Sequence, residues 1–246
     1  MSRWVFDLGN TRLKLAPVDA DGRVGPVQAI AHDGAAFPSG WEAQLPARID
    51  SAAVASVASV ALRTALLAAL ADRSGRMSLA RTLVRCEGVQ IAYARPERLG
   101  VDRFLALLGA CARGPGPWLL AGVGTALTID LLDAAGRHRG GRIAPSPALM
   151  RQALHGRAAQ LPATGGRYVD FATDTDDALA SGCEGAAIAL VESSRSAAAR
   201  VLGQAPTLLL HGGGAASLLA QLPGAGPAPE LVLEGLVRGL GMGESR

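Results

Sequence analysis

The sequence predicts an α/β protein made of two similar halves. Strand-like segments alternate with segments of helical apolar spacing, each half opens with a strand–glycine turn–strand pattern, and a stretch rich in glycine and proline separates the halves. Of the 246 residues, 49% are hydrophobic and 18% are charged, which is enough apolar side chain to bury a core. Two such halves are expected to face each other across a cleft, where ligands usually bind.

The first half begins with a predicted β-hairpin. Strand candidates over residues 4–6 and 13–18 flank the bend Gly9-Asn10-Thr11. The later elements alternate between strand and helix patterns: a strand over 49–57, a helix over 60–72, a strand over 79–84 and a helix over 102–111.

The stretch Arg113-Gly114-Pro115-Gly116-Pro117 suits neither a helix nor a strand, so we place the domain boundary there, with lobes at residues 1–113 and 114–246. At an offset of 115 residues, the glycine turn of the first half lies over a second one at residues 122–125. This weak internal repeat supports two related lobes. The second half is predicted to contain strands over 118–121 and 126–132, helices over 148–159 and 175–199, a strand over 207–210, a helix over 215–222, a loop over 223–229, and a last strand and helix within 231–240.

Composition argues against several classes of protein. Asp7 and Gly9 interrupt the N-terminus before an apolar stretch of signal-peptide length, and no apolar run reaches the roughly 20 residues of a membrane span. Cys86, Cys111 and Cys183 form no C-x-x-C pair, so neither a disulfide framework nor a zinc site is indicated. The net charge of +3 is spread along the chain rather than clustered as in nucleic-acid binders. We therefore expect a cytoplasmic protein without membrane or nucleic-acid partners.

Three glycine turns follow predicted strands, at Gly9, at Gly124 and at residues 212–214. Glycine lets backbone N–H groups approach an anion without a Cβ in the way. Each turn alone could be an ordinary tight turn. Three of them in matching places favour the binding of nucleotide phosphates.

Two side chains beside the first turn suit phosphate chemistry. Asp7 could hold hydrated Mg²⁺ against the phosphates, or it could merely cap the turn. Lys14 is the single lysine among 24 basic residues, and its ammonium could lie on a β- or γ-phosphate. The alternative is a solvated lysine on a strand.

Five motifs occur in order along nearly the whole chain. They are Asp7-Leu8-Gly9-Asn10-Thr11-Arg12-Leu13-Lys14, Leu99-Gly100-Val101-Asp102-Arg103, Gly124-Thr125-Ala126-Leu127-Thr128-Ile129-Asp130, Gly140-Gly141-Arg142-Ile143-Ala144-Pro145, and Thr173-Asp174-Thr175 followed by Ser181-Gly182. The set resembles that of the type III pantothenate kinases, some of which are called Bvg accessory factors. Any single motif would be weak evidence, but five in family order are specific.

This resemblance implies an actin-like ATPase fold, with two ribonuclease H-like lobes around a central nucleotide cleft. It also implies a homodimeric kinase that uses ATP and Mg²⁺ to convert pantothenate into 4'-phosphopantothenate, the first step of coenzyme A biosynthesis. A requirement for K⁺ or NH₄⁺ is expected from the family.

The resemblance also assigns roles to residues. The first phosphate motif corresponds to Asp7, Leu8, Gly9, Asn10, Thr11, Arg12, Leu13 and Lys14, and the second to Gly124 and Thr125. Asp102 corresponds to the proposed catalytic base. The expected pantothenate contacts are Tyr93, Gly100, Val101, Asp102, Arg103 and Thr175.

Two positions depart from the family pattern. The family's monovalent-cation ligand is an Asp two residues before the Gly-Thr pair, and here that position is Gly122. The Pro-Gly that usually follows the double glycine is Pro145-Ser146. Both departures leave open a non-catalytic accessory protein on the same fold.

The chemistry of Asp102 and Arg103 is consistent with the resemblance. Phosphoryl transfer needs a carboxylate to orient the attacking hydroxyl and take its proton, and an adjacent guanidinium suits a substrate carboxylate. A local Asp–Arg ion pair near a helix start is the alternative, as half-buried packing is for Tyr93. Another actin-fold phosphotransferase would share the glycine turns but lack this constellation.

The remaining polar residues carry weaker signals. Asp130 and Asp133 could serve a metal, form hydrogen bonds or end a strand. No chemistry is assigned to the histidines, which show no ligand spacing: His32, His138, His155 and His211.

Overall fold

Within residues 1–241, which a computed structural model describes, two five-stranded sheets share one strand order. The first sheet contains β1 (Arg3–Leu8), β2 (Arg12–Val18), β3 (Gln28–Ala31), β4 (Ser51–Ser56) and β5 (Met77–Leu79). Its order is β3-β2-β1-β4-β5, with β1 antiparallel to β2 and parallel to β4. The predicted hairpin around Gly9 is therefore present.

The two faces of the first sheet differ in character. Helix α1 (Val60–Ala71) contributes Leu62, Leu66 and Leu70 to a core with alternate strand residues such as Phe6 and Leu8. Because successive side chains of a strand point to opposite faces, Asp7 lies on the other face of β1. Two helices pack on that face: α2 (Val101–Ala112) and a C-terminal helix, Leu231–Gly239. Both helices contact β4, and the C-terminal helix also contacts β1.

Between β5 and α2 the chain forms a two-stranded hairpin, β6 (Arg85–Cys86) with β7 (Val89–Gln90), and a short 3₁₀ helix, Pro96–Arg98. Another 3₁₀ helix, Trp41–Gln44, lies between β3 and β4. The strand predicted over 79–84 lies earlier in the structure, as β5, and shares only Leu79 with the prediction. Ala80 N–H still donates to the Val54 carbonyl, and the chain then leaves the sheet.

The second sheet repeats this topology. It contains β8 (Trp118–Val123), β9 (Ala126–Leu132), β10 (His138–Pro145), β11 (Thr207–His211) and β12 (Gly226–Pro227), in the order β10-β9-β8-β11-β12. The repeat inferred from two glycine turns therefore extends to the whole strand order. The last predicted strand lies earlier than expected, at β12, within the segment predicted as a loop.

Three helices belong with this second sheet: α3 (Pro147–Arg157), α4 (Thr175–Leu202) and α5 (Ala215–Leu219). Side chains of α4 and α5, among them Ala187, Val191 and Leu218, pack with apolar residues of β8, β9 and β11. The C-terminal helix, Leu231–Gly239, is α6.

The chain divides into two units at Pro115, two residues beyond the predicted boundary. The assignment of later residues differs from the predicted lobes, since Gly136–His138 and residues 230–241 belong to the first unit. The C-terminal helix α6 belongs to the first unit because it packs closely on α2. A Cβ at Gly109 would collide with the Leu231 carbonyl oxygen, and a Cβ at Gly235 with that of Leu105.

Among residues 1–241, no helix combines the length and the apolarity needed to cross a bilayer.

Candidate active site

The first phosphate motif forms the β1–β2 hairpin of the first unit. The antiparallel register places Asp7 opposite Lys14, so both side chains stand on the same face of the sheet. Both residues are partly buried, whereas Asn10, Thr11 and Arg12 at the turn are exposed. The hairpin thus presents an exposed turn flanked by one carboxylate and one ammonium group.

A histidine that the sequence did not single out supports this turn. Gly9 N–H donates to the Arg12 carbonyl at 3.1 Å, and the Gly9 carbonyl accepts from Nε2 of His32 at 3.0 Å. The other ring nitrogen, Nδ1, accepts from Gly34 N–H at 3.1 Å, which is consistent with the Nε2–H tautomer. His32 therefore fixes the backbone of the turn.

Asp102 lies in the first turn of α2. Its Oδ1 accepts from the Arg103 N–H at 2.9 Å, and a Cβ at Gly100 would approach that oxygen to 2.6 Å. Glycine at the N-cap position therefore leaves room for the carboxylate at the helix start. The partial positive charge of a helix N-terminus favours a carboxylate there.

Asp7 lies within electrostatic reach of Asp102. Burial raises the pKa of Asp7 to about 6; the Lys14 ammonium opposes this shift and the Asp102 carboxylate adds to it. The first unit thus brings together two carboxylates and one ammonium group from distant parts of the sequence. Such a concentration of perturbed charge is typical of functional sites.

The expected pantothenate contacts of the first unit form one cluster. Arg103 is only 5% exposed, and its Nη1 donates to the Tyr93 hydroxyl at 3.3 Å. The guanidinium carbon lies 5.9 Å from the centroid of the Tyr93 ring. The ring of His138 stacks on Tyr93 with centroids 6.0 Å apart and planes 8° apart.

In the second unit, Gly124 and Thr125 form the turn between β8 and β9. Gly124 N–H donates to the Ala126 carbonyl at 2.9 Å, in a turn that resembles that of Gly9. The Ser146 hydroxyl donates to the Thr125 carbonyl at 2.9 Å and accepts from Leu149 N–H at 3.2 Å. Ser146, a departure from the family pattern, therefore caps α3 and ties it to this turn.

At the other departure, Gly122, the side chain of His211 occupies the space beside the glycine. Sheet register places Thr128, Gly122 and His211 in one row across β9, β8 and β11. A Cβ at Gly122 would lie 2.7 Å from Cε1 of His211, 2.8 Å from its Nε2 and 2.7 Å from Oγ1 of Thr128. The imidazole thus occupies the space into which an aspartate side chain at residue 122 would extend.

Thr175 is the first residue of α4 and is exposed. Asp174 caps this helix, since its carboxylate accepts from Asp177 N–H at 2.9 Å.

Asp133 accepts from Ala135 N–H at 3.0 Å and from Arg139 at 3.5 Å, which supports a structural role for its carboxylate. Asp130 is a buried residue of β9.

Within residues 1–241, no three His, Cys, Asp or Glu side chains are grouped so as to hold a metal ion. Asp7 is the carboxylate for which the sequence predicts a divalent cation, which would also be coordinated by phosphate oxygens and water. This fits the usual behaviour of Mg²⁺, which keeps several waters and uses one or two carboxylates with substrate phosphates.

Comparisons with known proteins show the family to which the chain belongs. The sequence model of the family described as type III pantothenate kinase matches residues 4–196. A type III pantothenate kinase from Stenotrophomonas maltophilia (strain K279a) is 57% identical over 241 residues, which cover 97% of this chain and 97% of that protein.

Solved structures show the shared fold. A Baf family protein from Campylobacter jejuni has a TM-score of 0.66 at 18% identity, over 97% of this chain and 98% of that one. A ROK family glucokinase from Streptomyces griseus has a TM-score of 0.51 at 12% identity, over 96% of this chain and 98% of that one. The α/β kinase fold expected from the sequence is thereby confirmed.

Proposed function

The chain belongs to the type III pantothenate kinase family, and on this premise we propose that it is a kinase that transfers the γ-phosphoryl group of ATP to pantothenate, in coenzyme A biosynthesis. The observation that supports this most directly is the carboxylate of Asp102 at the start of α2, beside Arg103 and within electrostatic reach of Asp7. These residues supply the positioning and the charges that phosphoryl transfer requires.

We assign the proton transfer to Asp102. Its carboxylate orients the 4'-hydroxyl of pantothenate and accepts the proton as the new O–P bond forms. The bond between the γ-phosphorus and the bridging oxygen breaks, and ADP leaves. Because Asp102 already lies at a helix N-terminus, the residue is held in place before substrate arrives.

Lys14 and Asp7 serve the phosphates. The Lys14 ammonium, opposite Asp7 in the hairpin, places a compact positive charge beside them. Mg²⁺, when bound with ATP, neutralises charge that develops on the phosphates. Asp7 would hold it; burial raises the pKa of Asp7 because it disfavours the charged form, and a cation beside the carboxylate would offset that cost.

A coupled assay of ADP release, with and without pantothenate, tests this function. A pantothenate kinase releases ADP only when pantothenate is present. Release without pantothenate would indicate another actin-fold phosphotransferase or phosphohydrolase, and no release would favour the non-catalytic accessory protein. Ser146 has a structural role that is compatible with catalysis, because its hydroxyl caps α3 and donates to the Thr125 carbonyl.

Arg103→Leu should weaken the binding of pantothenate far more than the binding of ATP. Removing a buried guanidinium that pairs with the substrate carboxylate is expected to raise the KM for pantothenate about 30-fold or more. The KM for ATP should change less than about twofold, since no phosphate contact is lost. Arg98→Leu, on the exposed 3₁₀ turn just before α2, is the control. Equal weakening of both substrates would point instead to collapse of the site.

The residues at Gly122 do not fit the monovalent-cation site of the family. Glycine offers no carboxylate, and His211 fills the space that one would need. A cation entering such a site would lack the negative charge that offsets its dehydration. We therefore derive no step that depends on K⁺ or NH₄⁺.

The rate should accordingly vary little with K⁺ at fixed ionic strength in a choline background, by less than about twofold. Gly122→Asp alone must displace the His211 ring, whereas Gly122→Asp with His211→Ala provides room for the carboxylate. K⁺ activation should therefore appear more clearly in the double variant than in the single one. Saturable activation of the wild-type protein by K⁺ would show that other oxygens form a cation site.

We also propose a homodimer, as the family resemblance implies. In the second unit, α3 and α4 border an apolar groove of about 670 Å³, lined in part by Leu149, Met150, Leu154 and Leu179. Leu149 and Leu154 are exposed, and so is Ile143 on β10. Burial of such a face against a second copy is favourable, and sedimentation equilibrium would show twice the chain mass.

A cytoplasmic location is part of the proposal. Cys86, Cys111 and Cys183 are all free thiols, which is typical of a reducing compartment. The proposed use of ATP agrees with this.

A further inference from the structure

Tyr93 contacts His138, a residue 45 positions away for which the sequence gave no role. The two rings lie nearly parallel, 8° apart, with centroids separated by 6.0 Å. His138 is 3% exposed, so its ring is fixed by its surroundings. The same tyrosine hydroxyl accepts from Nη1 of Arg103 at 3.3 Å. Tyr93 is thus in contact with one side chain proposed to bind substrate and one that is not.

His138 also holds the backbone just before Tyr93. Its Nδ1 accepts from the Ala92 N–H at 3.4 Å, so the backbone and the ring of this segment are both held by one imidazole. A hydrogen bond at this distance is weak alone, but the ring stack acts on the adjacent residue.

The segment that carries His138 is itself anchored to the same stretch of chain. Gln90 N–H donates to the Gly136 carbonyl at 2.9 Å, and Gln90 forms a β-bridge with Arg137. A Cβ at Gly136, where φ is +74°, would collide with the Gly88 carbonyl oxygen. Only glycine permits this close approach, which explains why Gly136–His138 belong to the first unit.

We propose that His138 is a positioning residue for pantothenate, which acts by holding Tyr93 in the orientation that the substrate requires. The proposal rests on the proposed function, in which Tyr93 and Arg103 contact pantothenate. A tyrosine near the surface otherwise samples several rotamers, and ordering it on binding reduces affinity. The stack with His138 orders the ring before substrate arrives, so the substrate does not bear that loss.

The alternative is that His138 only stabilises the fold. The two hypotheses predict different effects of a His138 substitution on the kinetic constants. Loss of fold stability would reduce the amount of active enzyme, which lowers the apparent kcat and leaves the KM values for both substrates unchanged. Loss of Tyr93 positioning would raise the KM for pantothenate and leave the KM for ATP unchanged.

Three variants of His138 separate the ring stack with Tyr93 from the hydrogen bond with Ala92. His138→Phe keeps a stacking ring and removes the Nδ1 acceptor. His138→Asn keeps an acceptor and removes the ring, and His138→Ala removes both. We expect His138→Ala to raise the KM for pantothenate about 5- to 20-fold, and His138→Phe to restore most of the affinity because stacking does most of the positioning. His155→Ala, an exposed histidine on α3, is the matched control.

A double-mutant cycle with Tyr93 gives the sharpest test. In a Tyr93→Ala background, His138→Ala should raise the KM for pantothenate no further, because the residue through which it acts is gone. An equal rise in both backgrounds, or a parallel rise in the KM for ATP, would overturn the proposal. If His138→Ala does not fold, His138→Phe and His138→Asn in the two backgrounds make the same comparison.

Failure of the proposed function gives a different result. In that case the wild-type protein shows no pantothenate-dependent release of ADP at all. Failure of the His138 proposal leaves wild-type activity intact and shows the variants with unchanged KM for pantothenate.

Discussion

Asp102→Asn is expected to lower kcat by about 10²–10⁴-fold while the protein still folds and binds ATP. Asparagine has nearly the same shape, and its side-chain oxygen can still accept from the Arg103 N–H that now lies 2.9 Å from Oδ1. The start of α2 is therefore preserved, and only the basicity of the group is lost. The variant also removes a negative charge near Asp7, so the net negative complex of ATP with its metal ion should meet less repulsion in the site.

The measurement is steady-state kinetics with both substrates varied, together with ATP binding to the variant. Glu97→Gln is the matched control, because Glu97 is an exposed carboxylate on the 3₁₀ turn that precedes α2. It should leave kcat unchanged. A near-normal kcat for Asp102→Asn would show that another group takes the proton, or that none is needed.

Local signals were sufficient to predict part of the fold. The two strand–glycine turn–strand elements are visible in short stretches of sequence, and the structure places both at the start of sheets with one strand order. The transfer of α6 to the first unit could not be predicted in this way. It depends on contacts of Gly109 with Leu231 and of Gly235 with Leu105, and a glycine in a sequence does not reveal which backbone approaches it.

The same distinction applies to the candidate site. Asp7, Lys14 and Asp102 were selected because they lie in motifs, and the structure groups them. His138 and His211 were missed because their neighbours, Tyr93 and Gly122, are distant in sequence. In the second case the sequence showed that residue 122 lacks a carboxylate, but not that His211 occupies the space beside it.

Asp7→Asn is expected to reduce activity and to raise stability. Activity should fall about 10²-fold or more, because the carboxylate that we propose to hold the phosphate-bound metal is lost. Stability should rise because the wild-type carboxylate is destabilised in the folded state. Its pKa is raised from 3.8 to about 6, mainly by burial, so ionisation is easier in the unfolded chain.

The sign of the pH dependence follows from this shift. The stability linked to Asp7 is fully present below about pH 4, where the group is protonated in both states, and it is lost as the pH rises through about 6. A shift of this size corresponds to about 1–3 kcal/mol of unfolding free energy, allowing for partial exposure to solvent. Asparagine stays neutral, so the variant should be the more stable by about that amount near pH 8 and equal to wild type near pH 4.

Chemical denaturation of both proteins across this range tests the prediction, with the free energy of unfolding compared pair by pair at each pH. Comparison at one pH cancels the titration of every other group that the two proteins share. Asp21→Asn is the control for loss of a carboxylate at the surface, because Asp21 is an exposed aspartate of the β2–β3 loop. A constant difference between Asp7→Asn and wild type from pH 4 to pH 8 would mean that Asp7 titrates alike in both states. Its carboxylate would then be solvated in the folded protein and ionised at neutral pH, and burial would not be what sets its charge in the site.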